Sequence, residues 1–297
     1  MRVDRSTLTR YGSLRLAAPG AATALQQGDR RSPFRGRGVE FADYRPYDPG
    51  DDVRLVDWNV YLRLGVAVVR QFNEERSLAM RICLDCSESM TFGEPRKADH
   101  AAQLAAALAM VSLMHRDPVG LCPFGLDKLV APTKGANLDG LTEILHVLER
   151  LEPSGHGDPH NQITRQLGQG RSDRIVLISD LLMEEEDRDR VFRLIASSSR
   201  YPLVLHVLSE VELEPDFGEW AKVVDAETGE AFVVRDDSSA KREYAEGLGE
   251  WLAAIEKRCR SLGITYVPTF THTEVPDLVE NELRRAHVVE HAFGGAS

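Results

Sequence analysis

From about Ser77 onward, short apolar runs alternate with longer amphipathic stretches. The runs near Leu78–Leu84, Val119–Pro123, Ile175–Ser179, Leu203–Leu208 and Thr265–Pro268 lack the polar alternation of a half-exposed strand. Each therefore predicts a strand buried on both faces. Between them, the spacing predicts helices near Lys97–His115, Leu138–Leu151, Asn161–Leu167, Asp187–Ser197, Ala240–Ser261 and Val275–Arg285. A hairpin is expected over Lys222 to Val234, turning at Thr228–Gly229. Such alternation predicts an α/β fold: a Rossmann-like, doubly wound, mainly parallel sheet covered by helices on both faces.

The chain before Ser77 reads differently. Residues 1–38 are rich in Gly, Arg and Ala, with a helix expected over Thr7 to Ala17 and ended by Pro19–Gly20. Residues 39–76 mix charge with aromatics; Pro49–Gly50 marks a turn and Val66 to Phe72 a strand. Arg45, Arg54 and Arg63 lie among Glu40, Asp43, Asp48, Asp51, Asp52 and Asp57, interleaved with Phe41, Tyr44, Tyr47, Trp58 and Tyr61. Such a mixture suits a folded subdomain with bidentate Arg–carboxylate pairs. It reads either as structural ion pairing or as a surface for docking a partner. The expected organisation is an arm and charged segment over 1–76, an α/β domain over 77–290 packed with that segment, and a tail over 291–297.

Composition narrows the functions. Apolar residues make up 42% and charged residues 28% of the chain, enough for a sizeable core. The 36 basic and 47 acidic residues leave a formal charge of −11, which argues against binding driven by nucleic-acid phosphates or anionic lipid. No apolar stretch reaches the roughly 18 residues of a spanning helix, and no apolar signal core follows the first arginines. Four cysteines in so long a chain make no disulfide framework. These features point to a cytoplasmic, reduced protein.

The segment RICLDCSESM, residues 81–90, carries the candidate chemistry. An apolar strand delivers Asp85, Ser87 and Ser89 at a spacing of two, placing three oxygen-bearing side chains on one side of the emerging chain. In a doubly wound sheet the ligand crevice lies beyond the carboxyl ends of the strands, where strand order reverses. Asp180 closes IVLISD at another such end, so Asp85 and Asp180 are expected neighbours. Two hydroxyls, one or two carboxylates and water suit Mg²⁺ while leaving it incompletely neutralised. The alternative is that Ser87 and Ser89 cap the following turn and Asp180 the following helix.

Other constellations weigh less. Cys83 and Cys86 form C-x-x-C, but Cys83 lies inside the strand, and both read as core cysteines. His156 and His160 flank Asp158 in a Gly- and Pro-rich loop that reads as solvated. Arg30, Arg31, Arg35 and Arg37 form a basic cluster within an acidic chain and read as an arm rather than a nucleic-acid site. There is no phosphate-binding loop, nucleophile elbow or H-E-x-x-H. An aspartyl phosphotransferase would want a second Asp two residues after Asp85, where Ser87 stands.

D-x-S-x-S after a first strand, with a later strand-end Asp, resembles the metal-ion-dependent adhesion site of von Willebrand factor A-like domains. The preceding signature is Gly38, Glu40, Phe41, Arg45, Tyr47, Pro49, Gly50, Asp51, Asp52, Arg54, Val56, Asp57 and Trp58. It resembles prokaryotic domain-of-unknown-function family fifty-eight (DUF58), over roughly residues 36–210. The resemblance implies a Rossmann-like fold, no established catalytic activity and an association with MoxR-type AAA+ ATPases. Residue by residue, it implies a metal site of Asp85, Ser87, Ser89 and Asp180. Relatives place Gly-Gly-Thr-Asp in the middle loop; this chain reads PSGHGDPHNQIT, without that threonine, and Asp158 is the nearest oxygen donor. The expectation is a non-catalytic adaptor that binds Mg²⁺ or Mn²⁺, takes a partner's Asp or Glu on the metal, and works with a MoxR-type ATPase. A metal-free scaffold using the same face is the alternative, and a metal-dependent phosphohydrolase a more distant one.

Overall fold

The computed structural model describes residues 1–17, 39–74, 77–155, 157–168, 172–213, 220–224, 231–235 and 238–292. The chain divides into two compact units, one of Met1–Ala21 with Leu78–Ser297 and the other of Ala22–Ser77.

The larger unit is built on five strands: β4 (Met80–Asp85), β5 (Val119–Phe124), β6 (Arg174–Ser179), β7 (Leu203–Leu208) and β10 (Thr265–Phe270). Their order is β10-β7-β6-β4-β5, and every neighbouring pair is parallel. Five helices connect them: α2 (Lys97–Met114), α3 (Leu138–Arg150), α4 (Pro159–Leu167), α5 (Glu185–Ser198) and α7 (Ser238–Ser261), with a one-turn α6 (Glu210–Leu213) after β7. The central strands β6 and β7 are buried at every position, and β4 at all but Arg81, because both faces are covered. Ile82, Leu84, Val176, Ile178, Leu205 and Val207 enter one core with α2 and α3. Cys83, Cys122, Phe124, Leu177 and Val204 enter the other, with α4, α5 and α7. The expected doubly wound α/β sheet is present.

The N-terminal residues depart from expectation. In place of a helix over 7–17, Arg5–Ser13 is a 3-10 helix capped by Asp4, followed by β1 (Leu14–Leu16). Gly12 and Ser13 are poor helix formers, and β1 finds an antiparallel partner in β11 (Val289–His291). Residues 1–17 thus belong to the α/β unit rather than to an arm, and His291 is a strand residue rather than the start of a tail. The last expected helix is also interrupted: Val275–Asp277 is α-helical and Leu278–Leu283 continues as a π-helix.

In the smaller unit, β2 (Val39–Pro46) pairs antiparallel with β3 (Val68–Glu74), with an irregularity between Phe41 and Asp43. The strand expected from Val66 begins two residues later because α1 (Trp58–Leu64) ends at Gly65, whose φ of 71° is left-handed. The Asp57 carboxylate caps α1 by accepting from the Asn59 and Val60 amides, and it also accepts from the Tyr44 hydroxyl at 2.8 Å. Arg45 donates to both oxygens of Asp51 at 2.6 Å, which holds the Asp51 carboxyl down at about 2. Signature residues therefore make ion pairs and caps within their own unit. Gly38 and the arginines at 30, 31, 35 and 37 lie outside the described residues, as does the turn expected at Thr228–Gly229 between β8 (Trp220–Val224) and β9 (Ala231–Arg235).

Candidate functional site

After β4 the chain adds β5 on one side and β6 on the other, so strand order reverses between β4 and β6. Asp85 ends β4 at this point and is buried, with 2% exposure. One oxygen accepts from the Ser87 amide at 2.9 Å, and the other from the Ser179 hydroxyl at 2.5 Å. Among the described residues no basic side chain bonds it. Burial, followed by the nearby Asp180 charge, pushes its carboxyl up to about 6. The Ser87 and Ser89 hydroxyls stand 3.0 Å apart and bond each other. Ser87 sits at the N-cap of a 3-10 turn over Glu88–Thr91 but makes no side-chain cap bond, so the capping alternative does not account for its hydroxyl. Gly125, at φ +75°, leaves this corner open, because a Cβ there would lie 3.1 Å from Asp85 Oδ1.

Asp180 follows β6 and is equally buried. One oxygen accepts from the Leu182 amide at 3.2 Å, closing a local turn; the other accepts from the Lys97 ammonium at 2.7 Å. Lys97 is the first residue of α2 and has no exposed surface. Its ammonium also donates to Glu212 of α6 at 2.5 Å, and the other Glu212 oxygen accepts from the Ser209 amide and hydroxyl. Burial pulls the Lys97 ammonium down, but the two carboxylates outweigh it and its net displacement is upward. Behind this group, His206 bonds the Asp180 carbonyl at 2.9 Å through Nε2 and the Tyr266 hydroxyl at 2.7 Å through Nδ1. Burial holds the imidazole down at about 4, so it is neutral at physiological pH. Donating from Nε2 and accepting at Nδ1 satisfies both contacts.

The middle loop runs beside the first: Ser87 bridges Gly155, and the Ser154 amide donates to the Cys86 carbonyl. Asp158 is exposed and caps α4, its oxygens accepting from the amide and side chain of Asn161 at 2.9 and 2.7 Å. A side chain at Gly157 would overlap the Gln162 amide and the Leu126 carbonyl. The missing threonine is thus matched by a rebuilt loop in which Gln162 bonds the Leu126 backbone.

The structure accordingly brings Asp85, Ser87 and Ser89 together beside Asp180, while the described bonds of Asp158 lie within its own cap. Sequence reasoning missed Ser179, Lys97, Glu212 and His206. A lysine opening a helix reads as a solvated charge, although its unfavourable place against the helix dipole was a signal. C-x-x-C is not a paired motif here, since Cys83 meets Cys122 across the β4–β5 register. His160 Nδ1 accepts from the Arg190 guanidinium at 3.2 Å, and His156 lies outside the described residues.

The donor set at Asp85 fits a hard divalent cation in part. It offers a buried carboxylate without a basic partner among the described residues, and two hydroxyls, all oxygen. Asp180 is already neutralised by Lys97. No cluster of three or more His, Cys, Asp or Glu side chains suited to a metal occurs among the described residues, so any ion would depend on the hydroxyls.

The parallel sheet, its switch point and the helices on both faces define a Rossmann-like, doubly wound α/β domain. The family model described as "Protein of unknown function DUF58" matches residues 43–250, and the chain belongs to that family. It is 28% identical over 261 residues to the uncharacterized proteins Rv1480 of Mycobacterium tuberculosis and Mb1516 of Mycobacterium bovis, covering 84% of this chain and 80% of each relative. Among solved structures, BatB from Bacteroides thetaiotaomicron aligns at a TM-score of 0.42 and 20% identity, over 70% of this chain and 98% of that one. A von Willebrand factor type A protein from Catenulispora acidiphila aligns at 0.39 and 13%, over 86% and 52%. An aerotolerance-related membrane protein from Bacteroides fragilis aligns at 0.39 and 19%, over 70% and 99%. The expectation of a cytoplasmic protein is corrected by this last likeness, since a chain of similar fold is a membrane protein. No helix among the described residues is long and apolar enough to cross a membrane, which bears on helices and not on compartment.

Proposed function

We propose that this chain is a non-catalytic adaptor that binds a protein partner at the crevice between β4 and β6, with Mg²⁺ or Mn²⁺ held by Asp85, Ser87 and Ser89. The observation that carries the reading is Asp85: a buried carboxylate, raised to about 6, beside two hydroxyls and without a basic partner among the described residues. An ion there would relieve the buried charge and keep an open position for a partner's Asp or Glu. The partner class is an acidic protein segment, and a MoxR-type AAA+ ATPase is the proposed companion that supplies energy to remodel the partner.

Calorimetric titration of the purified chain with Mn²⁺, repeated with Asp85→Asn, tests the metal. Binding that ignores the substitution would falsify this site. Co-purification with a MoxR-type ATPase, compared in Mg²⁺ and in EDTA, tests the companion; recovery that is equal in both removes the metal from the contact.

A second reading, a metal-free scaffold on the same face, is favoured by Lys97. Its ammonium already neutralises Asp180, and the rebuilt loop at Gly157 brings no side chain in place of the threonine.

A further inference from the structure

Lys97 is an unexpected group to find at the head of this crevice. A lysine with no exposed surface opens α2, where the helix dipole disfavours a cation and burial removes its hydration. Two carboxylates hold it there. Asp180 lies 2.7 Å away and Glu212 2.5 Å away, and Glu212 is itself fixed by the Ser209 amide and hydroxyl. Asp180 is also the second strand-end carboxylate, the one whose charge reaches Asp85.

We propose that Lys97 is the crevice's resident cation and sets its affinity for divalent metal. While the ammonium holds Asp180, an ion seated on Asp85, Ser87 and Ser89 is denied the second carboxylate and meets a fixed positive charge beside it. Glu212 gives the ammonium another acceptor, so Lys97 releases Asp180 without being left unpaired. Metal binding is then linked to the position of α6 through one lysine. This inference rests on the cation reading above and adds what limits it: the protein trades metal affinity for a built-in charge.

The test is calorimetric titration of the full chain with Mn²⁺, with folding of each variant checked by circular dichroism. Lys97→Met is expected to bind Mn²⁺ at least tenfold more tightly than the wild type. Adding Asp180→Asn to Lys97→Met is expected to return the affinity to the wild-type range, because the gain comes through that carboxylate. Should Lys97→Met fail to fold, Glu212→Gln keeps the ammonium and is expected to weaken Mn²⁺ binding at least threefold; an unchanged affinity in that variant overturns the proposal. A wild type that binds through Asp85 while Lys97→Met gains nothing leaves the cation reading standing and removes this one. Binding by Lys97→Met alone supports the proposal and assigns the wild type to the metal-free reading. No binding by any variant removes both.

Discussion

Gln162 occupies the space that a side chain at Gly157 would need. Its amide donates to the Leu126 carbonyl at 2.6 Å and accepts from the Leu126 amide at 3.3 Å, so the loop after β5 and the start of α4 are tied together through that space. Gly157→Thr is therefore expected to overpack the loop and cost about 1–3 kcal/mol in urea unfolding. Adding Gln162→Ala should recover part of the loss by clearing the overlap. A Gly157→Thr protein as stable as the wild type would mean that Gln162 moves aside freely.

Buried titratable groups predict the pH dependence of stability in EDTA. His100 and His206 are each held down at about 4 against an ordinary 6.5, chiefly by burial. The unfolded chain takes up their protons first, so stability falls as pH drops from 6.5 towards 4, by on the order of 3 kcal/mol for each. Asp85 acts in the opposite sense. Its carboxyl is raised to about 6 from 3.8, so the folded state takes up that proton first and gains of similar order as pH falls through the same range. Two groups outweigh one, and the net expectation is loss in acid. Urea midpoints between pH 4.5 and 7.5 should fall more gently in His206→Gln and more steeply in Asp85→Asn.

Asp57 combines the cap of α1 with the Tyr44 hydroxyl. Asp57→Ala is expected to cost about 1 kcal/mol for the cap, with a further loss for the abandoned hydroxyl. Asp57→Asn, which keeps a capping oxygen, should lose less. Hydrogen exchange in residues 58–64 reads the difference directly. Equal protection in all three proteins would remove the structural account of this acidic residue.

All four cysteines are buried. An aromatic disulfide reagent is expected to label none of them in the native protein and all four in urea, at a rate set by unfolding. Fast labelling of Cys83 or Cys86 without denaturant would revive the reading of C-x-x-C as chemistry.

What could be read from the chain follows from how local each cause is. Ile82 to Leu84 and Ile175 to Ile178 announce buried strands because both sheet faces are apolar there. Asp85 and Asp180 could be paired in advance because strand ends meet at the switch point of any doubly wound sheet. Lys97 and Glu212 are separated by 115 residues, and their partnership depends on how α2 and α6 dock. The middle loop was legible as lacking a threonine, whereas Gln162, which fills the space beside Gly157, arrives from the following helix. At the N-terminus, residues 14–16 take strand form only because 289–291 pair with them. Local propensity carries none of these last three.

The ladder between β1 and β11 has a topological consequence. It draws both flanks of the smaller unit into one folded body, since residues before and after that unit share the same cores. The intervening 56 residues, 22–77, form a loop-out in the connectivity sense, and none of the five parallel strands comes from them. Excision there would spare the central scaffold, whereas trimming the first seventeen residues would peel away a strand that the scaffold's far end relies on.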